Sequence, residues 1–179
     1  MTSPTNPTAP QPITPDASAG ARDPSTWPAE ILAPIQAALD RGRSKGGVAV
    51  RETFDHPDRR LTAAEFVASW NEIRLKAMAT SGADGAPHVA PVHAEFVDGR
   101  LRSTIYENAQ RRRDLRDNPR VTFTTWTANG FAAILHGIAR EIPDTLRDTR
   151  PGASGKPRRT VGLEIEVTKI HAMKERTKE

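Results

Sequence analysis

The chain has 179 residues and no cysteine, which allows one domain with an accessory segment and excludes disulfides, a thiolate nucleophile and a Cys-ligated metal. Its formal net charge of +4, with basic residues gathered at 100–120 and 147–159, favours an anionic ligand. No run of about 18 apolar residues is present to span a membrane, and no basic stretch followed by an apolar one opens the chain, so a cytoplasmic protein with no membrane partner is the expectation.

Residues 1–26 are Pro, Thr, Ser and Ala with almost no large apolar side chain, a composition that buries too little surface to offset the entropy of ordering, and they are expected to form a disordered tail. Residues 27–71 read as an N-terminal helical segment. Pro28 suits a helix start, Ile31, Leu32, Ile35 and Leu39 recur at helical spacing as far as Arg41, and Gly42 is the expected stop. Residues 43–60 are polar and irregular, with a short strand expected at Val48–Val50. Thr62 with Glu65 three residues on makes a capping box for a helix carrying Phe66, Val67 and Trp70.

From Ile73 the period changes to two, and a β-domain is expected over residues 72–179. Ile73, Leu75, Ala77 and Ala79 should share one face of the first strand, and Arg74, Lys76 and Thr80 the other. Asp84-Gly85 turns the chain into a strand from His88 to Phe96, and Asp98-Gly99 turns it again into Leu101–Tyr106. A short Arg-rich helix opens at Gln110-Arg111-Arg112-Arg113. Val121, Phe123 and Thr125 then alternate with Thr122, Thr124 and Trp126, and Asn129-Gly130 returns the chain through Phe131–Ile142. A Pro/Gly/basic loop at 143–159 precedes the last strand, Val161–Thr168. The fold class is therefore mostly β with α (α+β). Six antiparallel strands with one helix after the third suggest a closed or split barrel rather than a parallel sheet.

The chemistry legible in these elements is anion binding. The polar pair Ser103-Thr104 lies in the third strand and the basic helix opens soon after it, so hydroxyls, an arginine and a helix N-terminus lie close enough to hold a phosphate. Consecutive helical residues point about 100° apart, so Arg111, Arg112 and Arg113 cannot all face one anion. Only Tyr106 lies near the basic residues for stacking, which disfavours nucleic acid. His88 and His93, five apart in one expected strand, should face opposite sides and so not chelate one metal ion. No Gly-x-Ser-x-Gly elbow is present, and Glu164 and Glu166 read as a solvated strand face, so hydrolase chemistry has no support. Trp126, at a strand end beside a turn, is expected to be half exposed and able to cover a flat ring.

Met78-Ala79-Thr80, the run from Asp84 through Gly85, Pro87, His88 and Pro91 to Val92, Asp98-Gly99-Arg100-Leu101, Arg111 with Asp114-Leu115, Asn118-Pro119-Arg120-Val121 and Gly137-Ile138-Ala139 together resemble the pyridoxamine 5'-phosphate oxidase-like split β-barrel flavoproteins, over residues 73–172. The resemblance implies a six-stranded split barrel acting as an FMN-dependent oxidoreductase on a small molecule, in a homodimer with the cofactor at the interface. It further implies phosphate contacts from Ser103, Thr104 and Arg111, main-chain contacts to the isoalloxazine ring from Val89, Ala90, Pro91 and Val92, and a flanking position for Trp126. The chain departs from the family where it has Ala109 in place of a common Ser or Gly, and Asp114 in place of a common Asn. The C-terminal arginine signature that binds pyridoxal is not apparent, so vitamin B6 chemistry is not predicted. Two alternatives keep the fold. A deazaflavin (F-420) reductase would use Arg100, Arg102, Arg112, Lys156, Arg158 and Arg159 for a polyanionic tail, and a non-catalytic haem- or flavin-binding module would use His88, His136 or His171 as a haem ligand.

Overall fold

The computed structural model describes residues 18–149, 155 and 158–175; the expected tail over 1–17 and Lys156 of the proposed basic groove lie outside them. Helices α1 (Ser18–Arg22), α2 (Ala29–Lys45), α3 (Val48–Phe54) and α4 (Ala63–Glu72) precede the sheet, and α5 (Gln110–Asp117) interrupts it. Among the described residues the strands are eight: β1 (Lys76–Ser81), β2 (Pro87–Val92), β3 (Ala94–Val97), β4 (Arg100–Tyr106), β5 (Arg120–Trp126), β6 (Ala132–Glu141), β7 (Arg147–Thr149) and β8 (Arg158–Met173). Among the described residues no helix is long and apolar enough to cross a membrane.

All pairings are antiparallel, in the order β2-β1-β5-β6-β8-β4-β3, with β7 beside β8. The two ends of that order, β2 and β3, are joined by His93 alone. The sheet therefore curls until its ends lie near each other without pairing, and the Ser103 hydroxyl donates to the His93 carbonyl across the corner at 2.6 Å. This is the α+β split barrel expected from the sequence, with eight strands in place of six. The extra two come from the break at His93, which divides the expected His88–Phe96 strand, and from β7 inside the expected loop.

Helix α4 closes the barrel. Its capping box forms as read, with the Thr62 amide and hydroxyl both donating to Glu65 Oε2. Phe66, Val67 and Trp70 are wholly buried, and Trp70 meets Phe96 and Phe123 edge-on at 6.3 and 6.5 Å. The carboxamide of Asn71 accepts from Phe96 N and donates to Phe96 O, both at 2.9 Å, so α4 satisfies main-chain groups that edge strand β3 would otherwise leave open. Trp27, Ile35, Ala38 and Leu39 share one continuous core with the barrel.

Several local expectations are corrected. Residues 18–26 are folded: Trp27 donates to Gly20 O, Asp98 N donates to Ala21 O, and Arg22 pairs with Glu95. Helix α2 runs through Gly42 to Lys45, because this glycine is a contact point and not a stop. Val48–Val50 begin helix α3, whose Phe54 ring lies 6.2 Å from that of His171. The residues of β1 divide between two faces as expected, and the inward one is that of Lys76: Lys76, Met78 and Thr80 point into the core, while Leu75 is half exposed and Ala77 and Ala79 are only partly covered. On the outside of the barrel Ala77 and Ala79 lie beside Pro91 and Val89 on one side and Thr124 and Thr122 on the other.

Candidate functional site

The basic helix α5 is fixed by one buried carboxylate. The side chain of Asp114 is wholly buried and accepts hydrogen bonds from Thr80 Oγ1 at 2.6 Å and Gln110 Nε2 at 3.1 Å, while its Oδ2 lies 2.9 Å from His88 Nδ1. Burial alone would raise the Asp114 carboxyl, but the hydrogen bonds from Thr80, Gln110 and His88, with the charge of His88, outweigh it and hold the group below the ordinary carboxylate value. Asn118 extends the seam by donating to Ser81 Oγ at 2.8 Å. The departure from the family's asparagine thus seals α5 onto β1 and β2, with the charge satisfied inside the protein.

The three consecutive arginines divide as their angular spacing requires. Arg112 forms a bidentate pair with Glu141 at 2.6 and 2.9 Å, and Glu141, the largest influence, raises its pKa. Arg113 is exposed and folds back onto Gln110 Oε1 at 3.0 Å. Arg111 differs from both: its Nε is buried, with no hydrogen-bond partner among the described residues. It lies one turn before Asp114 on α5.

Ser103 and Thr104 do not converge. They alternate across β4, Ser103 buried with its hydroxyl committed to His93 and Thr104 exposed, so both hydroxyls cannot face one phosphate. Val89, Ala90, Pro91 and Val92 lie in β2, the strand at one end of the sheet, which has a ladder partner on one side only. Trp126 is 69% exposed, and with Val89 at 64% and Leu75 at 52% it forms an apolar outer face. A cavity of about 310 Å3 opens there, bounded by Ile73, Leu75, Val89, Pro91, Thr124 and Trp126. Ser103 and Thr104 border a separate hollow with His93, Glu95 and Arg102. The site therefore has two parts, an apolar recess at the Val92 end of β2 and, at its other end, the His88–Asp114 pair with Arg111 one turn away on α5.

Two features of this region, Lys76 and the His88–Asp114 pair, were not among the expected site residues. Lys76 is 3% exposed, packs its ammonium 5.1 Å from the Trp70 ring centroid and donates to Ile73 O. Burial lowers its pKa to about 8, against a smaller opposing influence of Glu95. The parity of Lys76 with Met78 was the available signal. The His88–Asp114 pair spans 26 positions, and no sequence spacing announces it.

The other expected groups are engaged elsewhere. His136 points away from buried Leu135, and its Nδ1 lies 3.0 Å from Thr122 Oγ1; its ring meets that of His171 edge-on at 5.9 Å. Arg100 and Arg102 both pair with Glu164, Arg140 pairs with Glu166, and Arg159 pairs with Glu107 and Asp148. Glu164 and Glu166 are thus half of a charge ladder and not a free carboxylate pair. Among the described residues no group of three His, Asp or Glu is placed to hold a metal ion.

The family model described as pyridoxamine 5'-phosphate oxidase matches residues 62–174, from the N-cap of α4 to the end of β8; α1, α2 and α3 lie outside that span. No curated protein matches the sequence at a significant level. Among solved structures, a conserved hypothetical protein from Mycobacterium tuberculosis superposes with a TM-score of 0.55 at 18% identity, covering 68% of this chain and 89% of its own. A FAD-binding protein from Mesorhizobium loti superposes with a TM-score of 0.50 at 20% identity, covering 65% of this chain and 96% of its own. At these identities the two structures identify the split-barrel fold and nothing finer.

Proposed function

The chain belongs to the pyridoxamine 5'-phosphate oxidase family, and we propose that it is a flavin-dependent oxidoreductase that binds FMN as a homodimer, with the cofactor between the subunits and a small molecule as substrate. The observation that carries this reading is the buried Nε of Arg111, which has no acceptor among the described residues. Buried polar atoms in native proteins are nearly always paired, and a phosphate at Arg111 would complete this one. The recess at the other end of β2 suits the ring: its walls are apolar, Trp126 offers a flat face, and the unpaired main-chain edge of Val89–Val92 can meet the polar rim of a heterocycle.

When bound, the flavin supplies the electron-transfer chemistry. The chain's own contribution is to anchor the phosphate at Arg111, to orient the ring along β2 and to exclude water beneath Trp126. Trp126, Val89 and Leu75, three large apolar side chains exposed on one face, are the surface a second copy would cover.

FMN is favoured over a deazaflavin because most of the basic residues a polyanionic tail would need are already engaged: Arg100 and Arg102 share Glu164, Arg112 pairs with Glu141, Arg159 pairs with Glu107, and Arg158 packs over the Tyr106 ring. Haem is less well supported, since His88 is held by Asp114, His136 by Thr122, and His171 is 6% exposed. The test is the visible spectrum of the purified protein before and after adding FMN, with its mass in solution measured by sedimentation. Retained flavin bands on a dimer are expected. A Soret band, or a protein that takes up no FMN, would overturn the reading.

A further inference from the structure

Helix α2 rests on the barrel at two points. Near its start Ile31 lies against the β3–β4 turn, where a Cβ on Gly99 would stand 2.4 Å from Ile31 Cγ2, and near its end Arg41 Nε donates to Thr168 O while Gly42 meets Ile170 of β8. Between these supports the helix leaves a cavity of about 350 Å3. Its floor is apolar, with buried Ile35 of α2 and Ile165 of β8 extended by Pro34 and Val167. Its rim is charged, with Arg100 of β4, Arg140 of β6 and Glu164 and Glu166 of β8. None of these residues borders the recess at Trp126, which opens over β1, β2 and β5, and one wall is supplied by the helical segment ahead of the barrel. We propose that the cavity under α2 is a second small-molecule site, which takes an organic monocarboxylate with an apolar body, its chain against Ile35, Ile165 and Val167 and its carboxylate against Arg100 and Arg140. Such a site is independent of the flavin reading.

The ion pairs at the rim leave guanidinium in excess. Glu164 serves both Arg100, at 3.3 Å, and Arg102, at 3.8 Å, while Glu166 serves Arg140 at 3.3 Å, so three arginines share two carboxylates. Glu95, across from Arg102 on β3, is taken by Arg22, and Asp98 in the adjoining turn pairs with none of the three. Arg100 engages Glu164 through Nη1 alone and Arg140 engages Glu166 through Nη2 alone, so each keeps N–H groups without an acceptor among the described residues. The planar fork of a guanidinium matches a carboxylate. Exposed pairs of this kind contribute little to stability, and a row of them on a sheet face needs no apolar hollow beside it. Pro34 adds to the contrast. A proline inside a helix removes a main-chain hydrogen bond at a cost to stability, and α2 carries this one at the cavity wall. An apolar hollow under guanidinium groups selects a molecule with both characters, and its volume is that of a small-molecule site.

Octanoate is the probe, with 1-octanol and octylamine as its uncharged and cationic counterparts. Binding to the full chain is followed by methyl NMR, in which Ile35, Ile165 and Val167 report the cavity under α2 while Ile73, Leu75 and Val89 report the recess at Trp126. Octanoate should shift the first set and leave the second in place. It should bind about ten-fold tighter than 1-octanol, the worth of one charge-assisted hydrogen bond, and octylamine should bind no better than 1-octanol. Replacing both arginines, Arg100→Gln with Arg140→Gln, should leave the melting temperature within a few degrees of the parent, because the two side chains are 63% and 75% exposed, and should erase the preference for octanoate. If the double variant does not fold, the methyl map and the three probes on the parent chain decide the matter by themselves. Shifts confined to the recess, equal affinity for octanoate and either counterpart, a preference that survives in the folded double variant, or no octanoate binding at all would each overturn the proposal.

Discussion

A Cβ built on Gly42 would stand 1.7 Å from the carbonyl oxygen of Ile170, closer than any side chain can approach a main chain. Helix α2 lies directly on β8 at that point, and Arg41 Nε reinforces the contact by donating to Thr168 O at 2.7 Å. Gly42→Ala should therefore cost about 3 kcal/mol or more, because the obstacle is backbone and not a side chain that can swing away. Gly47→Ala, where nothing lies within 4 Å of the added carbon, should change stability by no more than about 0.5 kcal/mol. Urea unfolding of the two variants checks the pair, and similar losses would mean that α2 does not sit on β8 as described.

Gly42 also shows where sequence reading stops. A glycine after an amphipathic run has the same signature whether it ends a helix or admits a neighbouring strand, and only the approach of β8 distinguishes the two. The hairpin turns were legible because their chemistry is local: Gly85, Gly99 and Gly130 all have positive φ, as the Asp-Gly and Asn-Gly pairs required. The inward face of β1 was not, because the small apolar residues Ala77 and Ala79 line the outside of the barrel while a lysine enters the core. Within the site, helical spacing allowed no more than one or two of the three arginines to face one anion, and the choice of Arg111 came from the family resemblance. The opposed directions of Ser103 and Thr104 follow from strand alternation and were available in principle. The grip of Asp114 on His88 was not, since it depends on how α5 settles against β1 and β2.

Arg111 and Arg113 test the phosphate end of the site. Arg111→Ala should weaken FMN binding by ~1.5 to 3 kcal/mol, the range for a hydrogen bond to a charged group. Arg113→Ala should do far less, because that side chain is exposed and already turned onto Gln110. Quenching of flavin fluorescence on titration measures both. Equal losses would indicate a diffuse electrostatic surface instead of one defined contact.

Lys76 places a charge in the core, where its ordinary value of 10.5 falls to about 8 through burial. A lowered pKa on a base means that the folded state resists protonation. The cost to stability is fully present below about pH 8 and disappears as pH rises from about 8 to 10.5. Lys76→Met, which keeps the length of the chain against Trp70 and removes the charge, should stabilise the protein at pH 7 by up to roughly 3 kcal/mol. That advantage should shrink through the same alkaline window. Thermal melts of the parent and variant at pH 7 and 10.5 measure it, and a gap of constant size would mean that the ammonium is not desolvated.

His136 and His171 predict a second pH effect with a different location. Burial lowers both imidazoles first, and the charge of Lys169 lowers them further, so the fold binds them neutral. The unfolded chain takes up protons near the ordinary value of 6.5 while the folded chain does not, and stability must therefore fall as pH drops below about 6.5. Asp114, Glu65 and Glu141 are held below their ordinary values, so their contributions are lost only at lower pH, and the two windows separate. Because His171 lies against Phe54 of α3 and beneath Gly46 at the end of α2, the strain of charging it falls first on those helices. Hydrogen exchange at pH 5.5 should accelerate over Val48–Phe54 before it does in β5 or β6, and His171→Leu should remove the acceleration. Uniform acceleration across the barrel would place the titrating groups elsewhere.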